Sequence, residues 1–570
     1  MARGWKPGRI RLGPAAGVPF TGMNTSRAIT LLGPGEAATC NDVDLTDGTL
    51  RGLYGPGTAV TTLSASSLHL RYEDAASSNW KDGTSKRFAL TDTISAGTGY
   101  RFSFYADPTP GVLRYSNGDV TNIWAGIGAP STAPTEDAAS GTTSYRSYRY
   151  TYYTNRTGDT YQEIESNPSS SVRTTKAKIN VTASSDTGVD GIRVYATNGD
   201  TSGPYYLTDT FANTTASVTP SATSTSATLL DWELSGVGTN ATYIYDHAPA
   251  PSPNIISNSL HVANLPGSIL PCSGILFVAV GSSGILQWSE TGHPWYFPYA
   301  NGFRCDGKIE AIVTDQATTY VFTAASIYVI TGVDDEELNF QRVTATLPIT
   351  QNAGLSAVPT PHGVVYQCDS GLALFDGHAS RLITSGVLST TDFYGKTYAC
   401  AWRDDQLIML SQSDSNGGYV VDFSTFPALK VTKHDVGARA LTQATAYATA
   451  PGTYVEIYSS GAVKRWHPRW RDGVSGAAAQ AWTWTSGALD AGSPIAAKRF
   501  VRIWVESSGT ISIAAKCYTN AATQVGSTCT LTGSQWLPAN FIGDYLQLTI
   551  TSSDGTGVVY GLTVDVEVMG

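Results

Sequence analysis

Charge is what this sequence has least of. Asp, Glu, Lys and Arg make up only 14% of the 570 residues, against roughly 25% in ordinary soluble domains. The shortage weighs against long surface helices, which draw their polar faces from Lys and Glu, and long amphipathic helical windows are essentially absent. Long apolar runs are scarce too. The longest, GILFVAV at 274–280, falls far short of the roughly 20 residues that span a bilayer as a helix, so no membrane span is expected. The opening MARGWKPGRIRLG carries no apolar signal-peptide region, which gives the expectation of a protein not exported by a cleaved signal.

Chemical motifs are equally thin. Seven cysteines stand at 40, 272, 305, 368, 400, 517 and 529, with no CxxC and no paired histidine spacing, which leaves no zinc pattern. Cys517 and Cys529 could face each other across a hairpin, but nothing else points to an oxidising compartment, and reduced core thiols are expected. HExxH, GxSxG and the Rossmann glycines are missing, and Gly395-Lys396-Thr397 has Thr390 where a phosphate loop needs glycine. Neither a catalytic residue, a metal nor a cofactor is read from these residues, and no enzymatic activity is expected. A net charge of −10 argues against a main task of gripping nucleic acid, since phosphate binding needs clustered Lys and Arg.

What the chain has in abundance is Gly, Ser, Thr and short alternating apolar segments. Seven segments, centred on Leu68, Val112, Ile285, Ile327, Leu372, Tyr419 and Ala462, share a short strand, a polar turn, a second strand and a Gly-rich turn. Their intervals are 44, 173, 42, 45, 47 and 43 residues, and the long one equals about one repeat plus an insertion of roughly 130. Periods in the forties with several strands per repeat indicate β-propeller blades. The fold expected is therefore all-β, a propeller of six or seven blades interrupted by a guest module.

The expected organisation is an irregular arm at 1–48, the first blades at 49–132, an inserted fibronectin type III-like sandwich at 133–255, the remaining blades at 256–470 and a C-terminal β-sandwich at 471–570. Blades after the insertion read as strand pairs: GILFVAV with GILQWSE, TTYVFTA with SIYVITG, GVVYQCD with GLALFDG, QLIMLSQ with GYVVDFS, and TYVEIYS with GAVKRWH. In each, apolar positions should stack between neighbouring sheets. A strand from the N-terminal region closing the circle would alter the blade count.

Two basic clusters stand out against the acidic background: Arg3, Trp5, Lys6, Arg9 and Arg11 in the arm, and Lys464, Arg465, Trp466, Arg469 and Trp470 in KRWHPRW. They could touch DNA by cation and stacking contacts. A protein-docking surface is preferred, because Arg and Trp are enriched at interface hot spots and both patches are small. His293 and His467 sit beside Pro and Trp in turn-like contexts, where packing or hydrogen bonding is expected. The run Asp334-Asp335-Glu336-Glu337 offers carboxylates for Ca²⁺ or for glycoside hydrolysis, but a solvated loop is the simpler reading.

The stretch GPGEAATCNDVDLTDGTLRG (33–52), the loop carrying Trp288-Ser289-Glu290 and His293-Pro294, the Tyr-x-x-x-Gly turn ending near 332, and the Gly-Leu-x-x-x-Asp-Gly blade at 371–377 together resemble the tail nozzle or hub proteins (tail tubular protein B-like) of short-tailed bacteriophages. The resemblance implies a structural virion protein in the viral tail, assembled in the bacterial host cytoplasm. It implies a homohexameric ring below the portal and adaptor proteins that retains the genome and then conducts double-stranded DNA without specific binding, with attachment surfaces for tail fibres or spikes. An acidic wall suits such a conduit, since carboxylates repel phosphate. The alternatives are a carbohydrate-binding or glycoside-hydrolysing propeller, which would use the 13 Trp and 30 Tyr residues as stacking platforms, and a host-binding tail spike component.

Overall fold

The computed structural model describes residues 5–62, 130–154, 164–185, 189–197, 205–218, 301–434 and 477–569 apart from short gaps, together with separate segments at 71–73, 80–82, 89–96, 100–107, 112–116, 123–124, 229–230, 261–264, 274–280, 284–288, 455–459 and 462–469. The fold is all-β. Among the described residues there is no α-helix, only four short 3₁₀ turns between strands grouped in multiple sheets. Scarcity of charge and frequent Gly-rich turns produce this outcome, since they favour strands and chain reversals over surface helices.

The chain divides into two compact units, one comprising Ser67–Thr344 and the other Met1–Ser66 with Ala345–Gly570. In the first, Ala89–Ala96, Tyr100–Asp107, Val112–Ser116 and Ile123–Trp124 form one four-stranded antiparallel sheet. Thr142–Thr154 is the hub of a six-stranded sheet that also contains Val172–Lys176, Gly191–Thr197 and Tyr205–Ala212. Two further four-stranded sheets follow. One contains Gly274–Val280 and Ile285–Trp288; the other runs Ile309–Asp315, Thr318–Thr323, Ser326–Thr331, Asn339–Thr344.

In the second unit, Val358–Thr360, Gly363–Cys368, Gly371–Phe375 and Ser380–Leu382 form another four-stranded sheet. Tyr398–Arg403, Gln406–Ser411, Gly418–Asp422 and Lys430–His434 begin a ten-stranded sheet that continues through Ala37–Asn41 into Trp482–Ser486, Tyr545–Ser552 and Ile511–Tyr518. Across one apolar core from these last strands lies a sheet in the order Trp5–Leu12, Val558–Met569, Lys498–Ser508, Gln535–Gly543. Trp484, Ile513 and Leu548 from one side meet Phe500, Ile503 and Val564 from the other.

The strand pairs read from the sequence are antiparallel neighbours. Phe277 stands opposite Trp288, Tyr320 opposite Val329, Tyr366 opposite Ala373, Ile408 opposite Val420 and Tyr458 opposite Val463. Inner strands such as Gln406–Ser411 and Gly371–Phe375 are buried at every position, whereas the edge strand Asn339–Thr344 has no buried residue. Covering both faces of a strand demands continuous apolar sequence, and an edge strand tolerates Asn, Gln and Arg.

The N-terminal arm corrects the expectation of an irregular segment. Trp5–Leu12 pairs with Val558–Met569 over eight residues, and Ala37–Asn41 joins Trp482–Ser486. Pro7 and Gly8 disguise the first strand, since both are uncommon in strands, but Pro is tolerated on an edge. Ala59–Thr62 adds a third strand to the pair Val455–Ser459 and Ala462–Trp466, so a segment from near the start of the chain completes the last of the repeated hairpins. Cys40, Cys305, Cys368, Cys400 and Cys517 are buried free thiols, and Cys529 is half-buried. Burial pushes the Cys517 thiol up to about 11 and that of Cys305 to about 12.

Candidate functional site

The outward face of the sheet carrying Trp5–Leu12 gathers the most interaction-prone side chains of the described residues. Strand alternation places Ile503, Val505, Val564 and Val566 in the core and turns Arg502, Trp504, Asp565 and Glu567 outward. Register then lines up Arg9, Asp565, Arg502 and Pro538 as one row across four strands, and Arg11, Thr563, Trp504 and Trp536 as the next. Asp565 links two of these strands to a third: its Oδ1 accepts from Arg9 Nε at 2.7 Å and its Oδ2 from Arg502 Nε at 2.6 Å. Partial burial alone would raise the Asp565 carboxyl, but the hydrogen bonds from Arg502 and Arg9 hold it below the usual carboxylate range.

The Arg502 guanidinium lies 4.1 Å from the centroid of the Trp536 ring, and Trp504 tilts against Trp536 at 5.4 Å. A guanidinium held over an indole is a cation–π contact that fixes both groups. Trp536, Ile542, Tyr560 and Met569 are large apolar side chains left 39–51% exposed on this sheet. Arg499 adds an ion pair to Glu567 at 3.6 Å. The surface is therefore aromatic at one edge and charged across its middle.

Of the residues predicted for docking, Arg9 and Arg11 stand exposed on this face. Trp5 and Lys6 lie in the same strand and Lys464 and Arg465 in Ala462–Trp466, with side chains outside the described residues; Arg3 and Trp470 lie outside them altogether. Trp466 and Arg469 are corrections. Trp466 is fully buried against Leu53, Ile408 and Val420, with its indole N–H donating to the Tyr54 carbonyl at 2.7 Å. Arg469 turns inward to the Asp422 carboxylate at 3.2 Å and donates to the Asp404 carbonyl at 3.0 Å. A Trp in a half-buried hairpin is worth more in the core than on the surface, where it would expose a large apolar area.

His467 is a packing residue, as its setting between Trp466 and Pro468 suggested. The Arg469 backbone N–H donates to its Nδ1 at 3.1 Å, so the ring proton sits on Nε2, which donates to Asp404 Oδ2 at 3.0 Å. Both ring nitrogens are engaged, leaving no lone pair for proton abstraction. Burial lowers its pKa, against the opposing pull of Asp404. The His293 loop, Asp334 and Asp335 lie outside the described residues, while Glu336 and Glu337 are exposed. No group of three or more His, Cys, Asp or Glu suited to a metal occurs among the described residues.

Trp504, Trp536, Arg502 and Asp565 escaped the sequence reading. Alternation in FVRIWVES marks Arg502 and Trp504 as sharing one face, but only the strand order brings Trp536 and Asp565 beside them.

No protein-family model matches this chain, and no curated protein does. Among solved structures it is similar to an exo-beta-1,3-galactanase from Phanerochaete chrysosporium determined with galactose, at 10% identity over 88% of this chain and 99% of that one, with a TM-score of 0.17. At that TM-score the likeness carries no argument about the fold or chemistry of this chain. The expectation that the chain has no enzymatic activity gains no support from this comparison, since the protein matched is itself a galactanase.

Proposed function

We propose that the chain is a structural subunit that assembles with copies of itself, as a tail nozzle or hub of a short-tailed bacteriophage would, with the Arg502, Trp504 and Trp536 face as its docking surface. The observation that carries the reading is that face: the exposed Trp536 indole fixed by Arg502, with Trp504 beside it, on a protein of net charge −10. Buried Trp and Arg anchors dominate most protein interfaces. The four-stranded sheets fit the role as propeller blades, and Ala59–Thr62 fits it as the strand that completes the three-stranded sheet of the last repeated hairpin. In this role the protein sits in the virion tail, meets portal or adaptor proteins and fibres or spikes, and lets DNA pass.

Mass photometry of the full-length protein tests the reading. A stable oligomer is expected, and the double variant Arg502→Ala, Trp536→Ala should shift it toward monomer by an order of magnitude or more in Kd, the effect of losing two hot-spot side chains. Monomers under every condition, with or without tail partners, would sink it.

The exposed Trp536 also favours a second reading, carbohydrate recognition on the same face, since an aromatic edge beside arginine and carboxylate suits sugar rings and hydroxyls. Arg502 covers one side of the indole, which weighs against stacking there. Glycan-array binding that disappears in Trp536→Ala would favour this reading over self-assembly.

A further inference from the structure

We infer that a single ordered water molecule is bound inside the second unit, where it joins the buried carboxylate of Asp422 to the ammonium of Lys430. Adjacent strands place Gln406, Asp422 and Lys430 side by side, with Asp422 opposite Gln406 on one flank and opposite Lys430 on the other. The row faces a small cavity that Asp44, Leu45 and Thr432 also line. Asp422 is only 4% exposed. Its Oδ1 accepts from the Ser424 backbone at 2.8 Å and pairs with Arg469 at 3.2 Å, but its Oδ2 has no hydrogen-bond donor in the described residues. A buried carboxylate oxygen without a donor is among the costliest groups a fold can carry.

The neighbours define what satisfies it. Lys430 Nζ donates to the Leu45 and Thr46 carbonyls at 3.1 and 3.2 Å, and an ammonium has a third proton to give. Gln406 satisfies Arg469 with its amide oxygen, at 2.8 Å from Nε and 3.2 Å from Nη2, which leaves its amide nitrogen as a further donor. Asp44 and Thr432 are already engaged, Asp44 by Thr46 and Arg51, Thr432 by Val43 and the Cys40 carbonyl. The open valences are therefore one acceptor and two donors around a space that fits one water-sized molecule.

Charge selects the ligand. A cation would meet the Lys430 and Arg469 charges, and an anion would meet Asp422 and Asp44. Water alone is neutral, donates to Asp422 Oδ2 and accepts from Lys430 or Gln406, giving the two or three polar partners that internal waters require. It completes the polar fastening by which Lys430 holds the 45–46 turn of the N-terminal segment.

A crystal structure of the wild-type protein, at a resolution that shows ordered solvent, tests this directly. Density within hydrogen-bond range, about 3.2 Å, of both Asp422 Oδ2 and Lys430 Nζ is expected. Featureless density there beside well-ordered side chains overturns the inference, as does a carboxylate rotated to accept directly from Lys430. Water-oxygen magnetic relaxation dispersion of the full chain in solution provides a second readout. Val420→Ile, which grows into the cavity, should remove one long-lived water relative to wild type, and an unchanged count in the folded variant would contradict the site.

Discussion

At the scale of single residues, the sharpest constraint lies where Gly418 meets Met409 and His434. A Cβ on Gly418 would stand 1.8 Å from the Met409 carbonyl oxygen, nearer than any hydrogen bond, so two main chains would have to part between two fully buried strands. Gly418→Ala should therefore cost about 3 kcal/mol, the upper end for overpacking, measured as a fall in the urea midpoint at unchanged slope. His434 closes the same space: its Nε2 donates to the Met409 carbonyl at 2.9 Å, while Nδ1 has no partner in the described residues. Burial drives its pKa down to about 4, whereas the unfolded chain takes up a proton near 6.5. The folded state thus binds fewer protons between those values. Stability from this residue is full above pH 6.5, declines as pH falls toward 4 and levels off below it, a loss of up to about 3 kcal/mol. Urea titrations across that window should show the slope in the wild type and a shallower one in His434→Gln; parallel curves would contradict the buried neutral ring.

Asp306 shows the opposite electrostatic device. It receives Thr323 Oγ1 at 2.9 Å, Ser326 Oγ at 2.5 Å and Arg342 Nη2 at 2.6 Å. Burial would raise its carboxyl, yet these donors together hold it below the usual range. The carboxylate ties the turn before Ile309–Asp315 to all three following strands of the same sheet. Asp306→Ala strands several donors, and a loss of about 2 kcal/mol is expected, readable as a lower thermal midpoint.

Among the elements, what could be read in advance was the hairpin. Each inner pair carries its own turn and its own continuous apolar stretch, so GVVYQC with GLALF or QLIMLS with GYVVD announces both strands and their register locally. Trp466 and Arg469 were misjudged for the complementary reason. Whether a Trp in KRWHPRW points in or out depends on Leu53 and Tyr54, some four hundred residues earlier, and no local pattern records that. The first strand was hidden by Pro7 and Gly8, and its partner Val558–Met569 lies at the far end of the chain. The four-strand face that unites Arg9 with Trp536 was therefore illegible, although its two central strands were each recognisable by alternation. This strand is also open to test. Deleting residues 1–12 leaves the Val558–Met569 strand as a bare edge with Val564 and Val566 on its inner side, and unpaired edges invite association with other chains. The truncated protein should unfold at lower urea and aggregate faster on heating, as followed by light scattering. If it matched the full chain in both, the strand would be ornamental.

For the whole molecule, net charge sets the terms of assembly. Each copy brings a charge of −10, so like copies repel at long range, and the repulsion weakens as added salt shortens the Debye length from roughly 30 Å at 0.01 M to about 8 Å at 0.15 M. The proposed docking face offsets this only in part, with Arg11 exposed on it and its other described arginines paired. Arg9 and Arg502 are both committed to Asp565, and Arg499 to Glu567, within one chain. Contact between copies must then rest on Trp536, Trp504 and Ile542, whose burial is insensitive to salt in this range. Self-association should consequently strengthen from low to physiological ionic strength and change little beyond it, as sedimentation velocity at a fixed protein concentration would show. Association that weakened steadily with salt would mean that the arginines exchange their own carboxylates for those of a neighbour, and the contact would have to be redrawn around ion pairs in place of indoles.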